Sequence, residues 1–117
     1  MKSVLIISRH CPARLAAREA LDLALASAAF GVPTGILFMD DGVLQLLKGQ
    51  DAALIGQKSL AANLQALPVY GVEEILVCKH SLAERGINSR ECLLNARQVA
   101  GSEIASLLEH YDQVVSL

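Results

Sequence analysis

The chain opens on an unbroken apolar run, Val4-Leu5-Ile6-Ile7, and runs of the same kind return at intervals to its end. A short run without polar alternation fits a strand buried on both faces, and such strands belong to parallel sheets packed between helices. Between the runs the sequence changes character. From Ala13 to Phe30 it is rich in Ala and Leu, and Leu21, Leu25 and Ala28 recur at i, i+4 and i+7, one stripe of a helix. Pro12 suits the first helical turn, where no N–H is needed, and Gly31 supplies the stop.

The alternation continues along the chain. Strands are predicted at Ser3–Ile7, Pro33–Met39, Glu73–Cys78, within Leu93–Val99, and at Gln113–Leu117. Asp40-Asp41-Gly42 is a turn signal, with Asp41 the expected cap of a short helix from Val43 to Leu47. Lys48–Asp51 is an expected loop. Further helices are predicted from about Ser59 to Leu67, from Leu82 to Arg85 before Gly86, and from Ser102 to His110. This order predicts an α/β fold: a three-layer α/β/α arrangement around a mostly parallel, roughly five-stranded sheet, in one domain over 1–117.

Apolar residues make up 53% of the chain and charged residues only 19%, and mean hydropathy is +0.42. That is more apolar mass than a small domain hides, so some of it should meet partner subunits. Net charge is -2. Lys and Arg form no run, which argues against direct nucleic-acid binding. The first apolar run is too short for a signal peptide, and no stretch is long enough for a membrane span. Three cysteines without paired spacing point to reduced thiols and a cytoplasmic setting.

Several residues carry chemistry in principle. His10-Cys11-Pro12 lies in the first strand-to-helix turn, where a helix dipole favours a thiolate. A phosphatase loop would frame five residues between Cys and Arg, but Arg18 is seven positions on from Cys11, Ala17 fills the required place, and the glycines are missing. The same turn lacks the Gly-rich pattern of a nucleotide site. Cys78 and His80 are two apart, and neither a Cys-x-x-Cys nor a His-x-x-x-His pair exists, so no metal site is expected. Cys92 has no evident partner, and His110 stands where a cation complements a helix end. No Gly-x-Ser-x-Gly elbow surrounds Ser59 or Ser81.

Cys78 is different. It ends the run Ile75-Leu76-Val77 and precedes a helix, and open α/β sheets place their chemistry at the carboxyl ends of strands. Lys79 and His80 stand beside it to hold a thiolate. The alternative is a small buried hydrophobe at a strand end. Residue type and position leave both open.

The segment Leu37-Phe38-Met39-Asp40-Asp41-Gly42-Val43-Leu44-Gln45-Leu46-Leu47-Lys48-Gly49-Gln50 resembles the central motif of the TusC/DsrF subunits of the DsrE/DsrF-like family. So does Val77-Cys78 running into Ser81-Leu82-Ala83-Glu84-Arg85-Gly86-Ile87. Arg18-Glu19-Ala20-Leu21-Asp22 and the ending Tyr111-Asp112-Gln113-Val114-Val115-Ser116-Leu117 are also similar to theirs. The resemblance implies a DsrE/DsrF-like α/β fold and a part in sulfur relay. It implies a heterohexamer with TusB-like and TusD-like subunits, passing persulfide sulfur through a TusE-like acceptor towards 2-thiolation of wobble uridine in tRNA. A DsrEFH-type sulfur-oxidation complex is the related alternative, and a Cys11-dependent hydrolase the unrelated one. The resemblance implies no cofactor and no metal. It also puts the established sulfur carrier on the TusD-like subunit, at the strand end matching Cys78, so Cys78 is a candidate persulfide carrier and this chain an auxiliary subunit. The apolar Val43, Leu44, Leu46 and Leu47, or some of them, are the side chains expected to face a partner.

Overall fold

The structure is a computed structural model describing residues 2–47, 60–88, 90, 92 and 95–117, without the side chains of Leu60 and Ala61. The strands are β1 (Val4–Ser8), β2 (Thr34–Phe38), β3 (Glu74–Cys78), β4 (Arg97–Val99) and β5 (Gln113–Ser116). They form one parallel sheet in the order β4-β3-β2-β1-β5. The helices are α1 (Leu15–Ala29), a 3-10 helix (Asp40–Leu46), α2 (Leu60–Ala66), α3 (Lys79–Glu84) and α4 (Gly101–His110).

Chirality explains where the helices lie. From β1 to β4 the chain steps across the sheet in one direction, and right-handed crossovers put all the intervening helices on one face. The return from β4 to β5 runs the other way, so α4 falls on the opposite face. The two apolar clusters follow this division. Val4, Ile6, Ile36, Phe38 and Val77 meet Leu21 of α1, Leu46 of the 3-10 helix, Leu64 of α2 and Leu82 of α3. Leu5, Ile7, Leu37, Leu76 and Val99 meet Leu107 of α4. Alternate residues of each strand serve opposite faces, as the pleat requires. The three layers are therefore unequal, with α4 alone covering the second face among the described residues.

β1 and β2 are buried throughout, which explains their uninterrupted apolar sequences. Each large side chain withdrawn there contributes about 2 kcal/mol of hydrophobic stabilisation. Ala17, Ala20 and Ala24 let α1 lie close to the sheet. The helix ends with the N–H of Val32 on the carbonyl of Ser27 (3.0 Å) and that of Gly31 on Ala28 (2.9 Å). Gly31 has φ 82°, a left-handed value that glycine adopts without penalty.

Three expectations need correction. Val43 and Leu46 are fully buried in this chain's own core and do not face a partner, while Leu44 and Leu47 are half-buried. The turn itself allows this: a Cβ on Gly42 would collide with the Ser8 carbonyl, so glycine lets the 3-10 helix fold back over β1. Asp41 lies inside that helix and gives it no side-chain cap. α3 begins at Lys79, three residues earlier than predicted, directly on β3. The predicted loop Lys48–Asp51, the helix start Ser59, and Leu93–Leu94 of the fourth predicted strand lie outside the described residues.

Candidate functional site at the carboxyl edge of the sheet

Three chain segments converge where β1, β2 and β3 end: Ser8-Arg9-His10, Met39-Asp40-Asp41, and Cys78-Lys79-His80-Ser81. Cys78 is the last residue of β3 and the residue immediately preceding α3. It is 3% exposed. It pairs with Val99 of β4. It alternates with Glu74 and Leu76, which places it on the α4 face of the sheet. On its other side the β2–β3 register ends at Phe38 and Val77, so the next residues in line are Met39 and Cys78.

The neighbours expected to hold a thiolate point elsewhere. Lys79 and His80 are exposed, and the His80 imidazole lies 3.4 Å from Glu84 one turn along α3. What surrounds the strand ends instead is a polar network through Asp40, Asp41, Ser81 and Arg85. Asp40 has φ 52°, a left-handed conformation that costs a non-glycine residue about 1 kcal/mol. Its N–H donates to the Ser81 hydroxyl at 2.9 Å, and its carboxylate accepts from Arg9 Nε at 2.9 Å. Asp41 accepts from Arg85 Nη2 at 2.9 Å and Nε at 3.2 Å, while Arg85 Nη1 donates to the Ser81 carbonyl at 3.2 Å. Beneath them Gln45, buried, donates to the Ser8 hydroxyl at 2.7 Å and the His10 carbonyl at 2.9 Å.

Gln45 also bears on Cys11. Its amide ties down the β1–α1 turn through His10, and Cys11 is half-buried with its carbonyl accepting from the Arg14 N–H. That turn is braced from within by a side chain, unlike an open anion cradle. Cys92 is half-buried beside Arg90, and its backbone bridges to Leu47. His110 is exposed and meets Tyr111 edge to face at 5.5 Å. Among the described residues no three His, Cys, Asp or Glu side chains are placed to share a metal ion.

Strand order places the crevice elsewhere. In open α/β sheets the binding crevice opens where the order reverses, here between β1 and β5. A hollow of about 480 Å³ lies there, lined by Arg9, His10, Asp40, Asp41, Ser116 and Leu117. Cys78 does not line it. On the α4 face, the Tyr111 hydroxyl donates to Glu74 across Gly35, whose missing Cβ makes room for the ring. Burial, and then the Glu74 hydrogen bond and charge, push the Tyr111 phenol above its ordinary value.

A family model described as the DsrE/DsrF-like family matches residues 2–117. The chain belongs to the DsrE/DsrF-like family. Among curated relatives, a "Protein TusC homolog" of Pseudomonas aeruginosa is 48% identical over 117 residues, covering 99% of this chain and 98% of that protein. A "Protein TusC homolog" of Aliivibrio fischeri is 35% identical over 98 residues, covering 84% and 83% of the two chains. Within the family the chain is thus TusC-like. Of solved structures, the YchN protein from E. coli matches with a TM-score of 0.86 at 21% identity over the full length of both chains, which places the fold. No helix among the described residues is long and apolar enough to cross a membrane.

Proposed function

We propose that this chain is the TusC-like, auxiliary subunit of a cytoplasmic sulfur-relay complex, assembled with TusB-like and TusD-like subunits and serving 2-thiolation of wobble uridine in tRNA through a TusE-like acceptor. The observation that carries the auxiliary role is the burial of Cys78 at 3% exposure, at the end of β3. In such a relay an acceptor thiolate attacks the outer sulfur of a persulfide. The S–S bond breaks, the inner sulfur leaves as a thiolate, and the acceptor now bears the persulfide. The attack needs an open line to the donor sulfur. A closed Cys78 does not offer one, so the transferred sulfur resides on the TusD-like partner.

Unpartnered apolar side chains support the assembly. Phe30 is 83% exposed and Val69 is 84% exposed, with Tyr70 also in water. They lie in the segments that lead into the adjacent strands β2 and β3, at the amino edge of the sheet. This edge takes the partner-facing role first expected of Val43 and Leu46.

The test is genetic and chemical. Deleting the gene should abolish 2-thiouridine in tRNA, and both the unaltered chain and Cys78→Ser should restore it. Failure of Cys78→Ser to restore the modification, with the complex intact, would make Cys78 the carrier. Unchanged 2-thiouridine after deletion would move the chain to another sulfur pathway.

A further inference from the structure

We infer that the corner Met39–Asp41 is a latch that closes Cys78, and that Ser81 is the positioning residue holding it shut. The inference concerns the access of any reagent to this sulfur, so it stands apart from where the relay carries its persulfide. Its first support is placement. Met39 lies next to Cys78 in the continued β2–β3 register, and Asp40 follows it at once. Met39 is held there by its own N–H on the Ser8 carbonyl at 3.1 Å, and Asp40, next in the chain, by α3.

The second support is strain. Asp40 is held at φ 52°. Such a conformation persists only where its surroundings over-determine it. The tie on its backbone is the bond from its N–H to the Ser81 hydroxyl at 2.9 Å, and Ser81 is 2% exposed. The Ser81 hydroxyl thus satisfies a part-buried N–H that its removal would leave bare. The third support is a parallel tie between the same two elements, Arg85 to Asp41 at 2.9 Å. Asp41 is open to water, so this second tie is the weaker. Both ties run from α3, whose first residue follows Cys78, to one strained corner. Beyond α3 and its own 3-10 helix, the corner is tied only to Arg9 through the Asp40 carboxylate and to Ser8 through the Met39 N–H among the bonds described, and such a corner opens locally before the whole domain unfolds.

The experiment is site-resolved alkylation of the full chain with iodoacetamide, reading Cys11, Cys78 and Cys92 separately by peptide mass, without urea and in low urea. A core variant remote from the corner, Leu64→Ala, controls for general loosening. Ser81→Ala should raise the Cys78 rate about tenfold or more while Cys11 and Cys92 stay put. That rise should be nearly independent of urea, as local opening requires. In Leu64→Ala any rise should climb with urea, as global unfolding does. Should Ser81→Ala prove too unstable to purify, Arg85→Ala carries the test with about a threefold rise. A Cys78 rate in Ser81→Ala that merely matches Leu64→Ala at equal stability overturns the latch. So does an Arg85→Ala rate equal to that of the unaltered chain.

Discussion

At the carboxyl edge of the sheet, Ser8, Gln45 and Ser81 are buried and bonded to one another's segments, while at the amino edge Phe30 and Val69 stand in water. Most of the buried polar side chains sit at one end, and the two most exposed large apolar side chains at the other. Both choices cost stability in a chain that works alone. A buried polar group is tolerable only when paired, and exposed apolar surface gains nothing until something covers it. The pairing at the carboxyl edge makes a closed, specific corner around Cys78. The exposure at the amino edge makes a surface whose use lies outside the chain.

The largest break in this contrast should come from Gly42→Ala. The added Cβ meets the Ser8 carbonyl, which is backbone and cannot swing aside. Urea unfolding should show a loss of about 3 kcal/mol, whereas Val69→Ala at the other edge should cost less than about 0.5 kcal/mol. Next, Gln45→Ala removes the donor to Ser8 and His10 inside the fold and should cost about 2 kcal/mol by the same measurement. If Gln45→Ala proves as mild as Val69→Ala, the carboxyl edge is not the rigid end.

The amino edge should respond in the opposite sense. Phe30→Asp combined with Val69→Asp should leave the chain's own unfolding within about 0.5 kcal/mol of the original. It should weaken co-purification with TusB-like and TusD-like subunits about tenfold or more, as removal of aromatic anchors does. Undiminished assembly would mean that the partners dock elsewhere.

The smallest effect concerns pH. Asp112 accepts from the Ser3 N–H at 2.8 Å and the Ser3 hydroxyl at 3.1 Å, which hold its carboxyl below the ordinary carboxylate value. A depressed folded value stabilises the fold above the unfolded pKa of about 3.9, and that contribution is lost as pH falls through the folded value. Asp112→Asn should therefore lower the melting temperature slightly at neutral pH, and the two chains should converge as pH falls below about 4, so that the acid limb of the variant is flatter. An acid limb identical to that of the original chain would remove the tie between β1 and β5 from the account.

The strands were legible because continuous burial writes a continuous apolar run, as in Val4–Ile7. Cys78 was legible as a strand-end thiol for the same reason. Gln45 and Ser81 were not: each is buried against a partner about forty positions away, and no local pattern marks a polar residue for the interior. Val43 and Leu46 were misassigned because an apolar stretch looks alike whether it meets another chain or its own sheet. The close approach permitted by Gly42 decides between these. The crevice between β1 and β5 depends on strand order, which the succession of elements alone does not fix. His80 and Lys79 were sequence neighbours of Cys78, but a helix starting at once turns His80 towards Glu84.

The auxiliary role turns on where sulfur comes to rest. The assembled complex, loaded with persulfide by a cysteine desulfurase and its relay partners, can be digested and the added sulfur mapped by mass. Added sulfur is expected on the TusD-like subunit, with the Cys78 peptide unmodified. A Cys78 peptide heavier by one sulfur, in proportion to the loaded complex and absent in Cys78→Ser, would contradict it.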